Sequence, residues 1–113
     1  CLVGTGFGYD DDRRRAQARV LVDVLPQVRD IRRLGSAAID LCLVATGELD
    51  LYYERGLNPW DMAAGALVAH EAGARVTGLR GRAADREMTV AGPPEAVARL
   101  VRILEDAGAD SDS

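Results

Sequence analysis

At 113 residues the chain is long enough for one domain and too short for two. Hydrophobic residues at 48% and charged residues at 28% give the composition of an ordinary soluble globular domain with a modest core. A net charge of -4 and a pI near 4.9 argue against a general nucleic-acid binder, and no basic stripe interleaved with aromatics occurs. All 14 basic residues are arginines, scattered along the chain, which reads as compositional bias and not as a binding patch. The longest apolar stretches fall far short of the ~20 residues that cross a bilayer. Cys1 and Cys42 have no C-x-x-C spacing, so a reduced, cytoplasmic protein without membrane contact is expected. The chain opens on Cys1 in an apolar run and not on Met, and a piece of a longer protein is expected from that.

Cys1-Leu2-Val3 predicts a short strand running into the glycine-rich turn Gly4-Thr5-Gly6-Phe7-Gly8. Asp10, Asp11 and Asp12 follow, where the positive end of a helix favours carboxylates. Ala16, Val20 and Val24, with Leu21 and Leu25, recur at helical spacing and predict a helix over 13–24 stopped by Pro26. A strand is expected over 28–34, closed by Gly35. Ser36 reads as the N-cap of an apolar helix over 37–46 that Gly47 ends. A strand over 49–54 carries Tyr52 and Tyr53, and Arg55-Gly56 turns the chain. Asn58 caps and Pro59 starts a helix over 59–72, with Gly73 as its stop. Strands over 76–79 and 88–91 flank a polar loop, and Pro93 opens a last helix to about residue 107. Strands alternating with helices predict an α/β domain over 1–108: a mixed, mostly parallel sheet of about five strands flanked by helices, with residues 109–113 as a flexible tail.

Three segments could carry chemistry. In Asn58-Pro59-Trp60-Asp61, a carboxylate at the third helical position ordinarily reaches back to the cap, so sequence physics favours a capping box. The competing reading turns Asp61 outward as an oxygen ligand for Mg²⁺. Gly35-Ser36-Ala37-Ala38 is a strand end and helix N-terminus whose open N–H groups can meet a hydroxyl or phosphate oxygen, or simply a tight capped turn. Glu54 alone would be a surface carboxylate at a strand end. Thr5-Gly6-Phe7 is a structural turn that could also wall a pocket. His70 suits the last carbonyls of its helix, and Arg13-Arg14-Arg15 beside the aspartates suits a solvated, ion-paired face. Arg32 and Arg33 stand on a strand near the pocket and are weak candidates for touching phosphate or a partner subunit.

Trp60-Asp61-x-Ala63-Ala64-Gly65 followed by Glu71-Ala72-Gly73 resembles the C-terminal signature of the inositol monophosphatase family. Gly35-Ser36-Ala37-Ala38, Val44-Ala45-Thr46-Gly47, Asp50-x-Tyr52-Tyr53-Glu54 and Thr5-Gly6-Phe7 continue the resemblance, with Gly8 where many relatives carry Pro. It covers about residues 2 to 102 but only the second half of the family's usual length. The resemblance implies a Mg²⁺-dependent phosphomonoesterase in which Asp61 is a catalytic metal ligand that also meets the substrate. Gly35, Ser36, Ala37 and Glu54 would bind its polyol or sugar part.

The family's Glu-Glu segment and its Asp-x-Ile/Leu-Asp-Gly-Thr motif, which supply the other ligands, are not in this sequence, so the chain by itself is expected to be inactive. An N-terminal half of the same enzyme, a small phosphate monoester and homodimerisation of the complete protein are the partners implied. Histidinol phosphate, fructose bisphosphate and nucleotide 3′-phosphate remain alternative substrates, and a non-catalytic assembly domain or an inert fragment the alternative classes.

Overall fold

The computed structural model describes residues 2–7, 11–57, 59–85 and 87–109, the side chains of residues 11, 59, 61 and 62 excepted. Cys1, Gly8, Asp10 and Asn58, expected in a strand, a turn, a helix start and a helix cap, lie outside the described residues, as do residues 110–113 of the expected tail. Five strands, β1 (Leu2–Thr5), β2 (Asp30–Arg32), β3 (Leu51–Glu54), β4 (Arg75–Thr77) and β5 (Thr89–Gly92), alternate with helices α1 (Asp11–Val24), α2 (Ala37–Thr46), α3 (Pro59–Glu71) and α4 (Pro94–Asp106). The sheet order is β2-β1-β3-β5-β4. β1 pairs in parallel with β2 and with β3, while β5 is antiparallel to both β3 and β4. Four strands therefore share one direction and β5 opposes them, which is the expected mixed sheet.

Strand alternation divides the interior into two layers. Leu51 and Tyr53 of β3 face α1 and α4, packing with Val20, Val24, Leu100 and Leu104. Tyr52 points the other way and packs with Leu41, Val44 and Leu49 beneath α2 and α3. α1 brings Ala16, Val20 and Val24 inward at every fourth residue, and α4 buries Val97, Leu100 and Leu104 at spacings of three and four. α2 starts because the Ser36 Oγ accepts the Ile39 N–H at 3.3 Å, and it stops at Gly47, whose φ of 83° is left-handed.

α2 and α3 approach closely at Gly65. A Cβ there would fall 2.9 Å from Leu41 Cβ and 3.4 Å from Ala38 Cα. Small residues let the two helices touch backbone to side chain.

Several elements are shorter than the alternation of the sequence predicts. The strand expected over 28–34 narrows to Asp30–Arg32, because β2 is an edge strand with a ladder on one side only. Leu49 and Asp50 belong to the turn before β3: the Leu49 N–H donates to Leu43 O, and Asp50 N–H to Leu2 O at 2.9 Å. At the other end, Ala109 is not loose tail. It is buried, and its N–H donates to Leu104 O at 2.9 Å.

Candidate functional site

The carboxyl ends of β1 and β3 come together beside the N-terminus of α2, the place where an open α/β sheet usually receives a ligand. Glu54, the last residue of β3, lies over Gly6, the residue just after β1. A Cβ on Gly6 would fall 2.6 Å from Glu54 Cδ and closer still to its Oε1, so any larger residue would make this carboxylate move. Tyr52, two residues back on the same face, donates its hydroxyl to Glu54 Oε1 at 2.7 Å. Gly4 repeats the device one step earlier in β1: a Cβ there would meet Leu49 Cδ1 at 2.7 Å and Tyr52 Cδ1 at 3.5 Å. Gly4 of β1 and Gly6 just beyond it thus seat Tyr52 and Glu54 of β3, each pair at strand period.

A second carboxylate joins this group. Asp40, in the first turn of α2, is 1% exposed, and its Oδ1 has no hydrogen-bond partner among the described residues. Burial, with the charge of Glu54 added, pushes the Asp40 carboxyl up from 3.8 to about 6. From the sequence, Asp40 follows the Gly35–Ala38 segment and Tyr52 belongs to the family-like Asp50–Glu54 segment, but neither is expected among the site residues. The legible signal was the single acidic residue inside the apolar run 37–46, and the matched alternation of Gly4 and Gly6 with Tyr52 and Glu54.

Of the expected pocket residues, Gly35, Ser36 and Ala37 stand at the same end of the sheet, between β2 and α2, with Gly35 in the left-handed region at φ 83°. Ser36 caps the helix, and the terminal N–H groups of Ala37 and Ala38 belong to no bond within it. Asp61 sits in the first turn of α3; its side chain lies outside the described part of the structure. Among the described residues no three His, Cys, Asp or Glu gather closely enough to hold a metal ion.

Thr5 turns to the opposite layer. Its side chain shares a hydrogen bond with Tyr53, whose phenol is raised by burial. Together with Gly6, Phe7, Gln17 and Val20 it walls a shallow apolar cleft on the α1–α4 side. The turn is thus a pocket wall, but of a pocket facing away from the Asp40 and Tyr52 side chains. Arg32 binds its own strand, donating to Asp30 Oδ2 at 3.0 Å, and Arg33 lies 5.8 Å above the Phe7 ring. Arg15 pairs with Asp12 at 3.6 Å on an exposed face, as the charge run suggested. His70 occupies the last turn of α3. No helix among the described residues is long and apolar enough to cross a membrane.

The sequence model of the inositol monophosphatase family matches residues 1–109. The inositol-1-monophosphatase SuhB of Mycobacterium tuberculosis is 64% identical over 75 residues, which are 66% of this chain and 26% of that protein. The putative Nus factor SuhB of Neisseria meningitidis serogroup B is 41% identical over 107 residues, 92% of this chain and 41% of the relative. Among solved structures, Mycobacterium tuberculosis SuhB superimposes with a TM-score of 0.84 at 49% identity, over 97% of this chain and 43% of its own. The inositol monophosphatase of Anabaena gives 0.83 at 34% identity, over 93% and 43% respectively. The chain thus spans less than half the length of the relatives it matches. With the five-stranded sheet shared and the match running almost end to end, the chain belongs to the inositol monophosphatase family.

Proposed function

We propose that this chain is the substrate-recognising portion of a magnesium-dependent phosphatase acting on inositol monophosphate or a similar polyol or sugar phosphate. The observation that carries the reading is the Glu54 carboxylate, held over Gly6 at the end of β3 and beside the N-terminus of α2. A fixed carboxylate accepts hydroxyl hydrogens, and the open N–H groups of Ala37 and Ala38 suit an oxygen-rich ligand. Gly35 supplies the left-handed turn and Ser36 the cap that aim those groups. Asp61 would hold a magnesium ion together with ligands from outside this chain, and the cation's chemistry is to neutralise phosphate charge and activate water. The name of the 64%-identical mycobacterial relative supports inositol phosphate as the first substrate to test.

The same reading makes the chain inactive alone. α2 and α3 are apolar nearly all round, and helices of that kind are ordinarily buried on every side. Yet Ile39 is 54%, Trp60 77% and Leu67 61% exposed. The remaining length of the complete protein is the occupant that suits this face, and it would bring the missing ligands with it.

The decisive assay uses the complete protein. Asp61→Asn should abolish turnover of inositol 1-phosphate and its Mg²⁺ dependence while thermal unfolding stays normal. Retained rate with lowered stability would assign Asp61 to helix capping instead. Turnover by the purified 113-residue chain with Mg²⁺ would overturn the inactivity.

A further inference from the structure

We propose that Tyr52 is a positioning residue for polyol recognition: its buried hydroxyl holds the Glu54 carboxylate, against the glycine seat of β1, in the orientation that accepts substrate hydroxyls. The inference deepens the reading of Glu54 given above and rests on it.

Three features converge on that carboxylate. Tyr52 has no solvent exposure, and its ring is locked among Leu41, Val44 and Leu49 with Gly4 beneath it. A buried phenol requires a partner for its O–H, and this one donates to Glu54 Oε1 at 2.7 Å, the short length of a charge-assisted bond. Gly6 closes the other side, since any Cβ would displace the carboxylate. A glutamate ordinarily turns about three side-chain bonds. Here one oxygen is tied to a ring that cannot move, and the carboxylate rests against bare backbone. The ordering is completed before substrate arrives, so its entropy is not charged to binding.

Electrostatics make the bond matter more. Asp40 lies buried near Glu54, and like charges in a poorly solvated site oppose each other. The Tyr52 O–H donated to Glu54 holds its carboxylate in place against that repulsion, so Tyr52 sets the orientation of the group that meets the polyol.

The test compares two phosphate monoesters in a complete protein carrying this chain, with Mg²⁺ present. Inositol 1-phosphate offers hydroxyls and p-nitrophenyl phosphate offers none. Tyr52→Phe keeps the packing and removes only the hydroxyl. The ratio of kcat/KM for inositol 1-phosphate to that for p-nitrophenyl phosphate should fall about tenfold, the scale of a lost hydrogen bond to a charged group. The loss should appear in KM for inositol 1-phosphate and not in kcat. Adding Tyr52→Phe to Glu54→Gln should cost little more than Glu54→Gln alone. Gly6→Ala, which moves the same carboxylate with the tyrosine intact, should lower the ratio too, and it serves as the second variant should Tyr52→Phe fold poorly.

An unchanged ratio in either variant, equal losses on both substrates, or additive effects with Glu54→Gln would overturn the proposal. If Glu54→Gln lowers the ratio while Tyr52→Phe does not, Glu54 recognises the polyol without Tyr52. If Glu54→Gln leaves the ratio intact, the role of Glu54 itself is wrong. Wild-type protein that turns over neither ester would sink the phosphatase reading and this inference with it.

Discussion

Asp40→Asn tests whether the buried carboxyl of α2 is held neutral. A carboxyl moved from 3.8 to about 6 favours its protonated form in the folded state by about 3 kcal/mol, at about 1.4 kcal/mol per tenfold change in proton affinity. The sign follows from linkage: the folded chain binds the proton more tightly than the unfolded one. The stabilisation is therefore complete below pH 4 and is lost as pH rises through 6. Wild-type stability should decline over that window, and the Asn variant, which cannot ionise, should not share the decline. The experiment is equilibrium urea unfolding of both proteins from pH 4 to 8, in chelator so that no divalent cation compensates the charge. The difference between them should move by up to about 3 kcal/mol in favour of Asn between the two ends. The charge of Glu54 contributes to the Asp40 shift, so the series is repeated with Glu54→Gln. Burial is the larger cause of the shift, so most of the effect should survive. Parallel curves for wild type and Asp40→Asn across pH 4 to 7 would refute the reasoning.

Other perturbations probe the packing that holds the site. Gly65→Ala should destabilise by ~1–3 kcal/mol, because the added methyl meets Leu41 at 2.9 Å and forces α2 from α3; the gain in helix propensity, ~1 kcal/mol, does not offset it fully. Urea midpoints at constant slope would measure the effect, and a more stable variant would contradict the close contact. Leu104→Ala, at a fully buried position of α4, should cost ~2–5 kcal/mol with little change in substrate preference, since the α1–α4 layer lies across the sheet from Tyr52. Ser36→Ala should cost ~0.5–2 kcal/mol through the lost cap, and Ser36→Asp should restore most of it in an unfolding assay.

The alternation of apolar runs with glycine and proline stops was enough to place the four α-helices and five strands of the described residues. Periodicity reports burial, and burial is what these elements share. Strand ends were less legible, because they depend on which neighbour supplies the ladder: β2 stops at Arg32, where its pairing with β1 ends at Gly4. The site was half legible. Glu54 and the 35–37 turn stood out through family resemblance, but Asp40 looked like a helix residue and Tyr52 like a strand former. Their roles arise from two strands and a helix converging, and no window along the chain contains that convergence. Thr5 shows the reverse: its motif matched, yet strand parity sends its side chain to Tyr53 on the opposite layer.

The strand order carries a consequence for how the molecule is assembled. β4 is made before β5, yet among the described residues it pairs with β5 alone, which lies between it and β3. A growing chain that has completed β3 and α3 can form the parallel β2-β1-β3 unit at once, but β4 must wait for the last quarter of the sequence. Until residues 89–92 emerge and insert, one edge of β3 stays unpaired, and such an edge invites pairing with other chains. Closure of this sheet is therefore a late event by topology, and damage to β5 should show first as aggregation during synthesis and only second as lost stability of the finished fold.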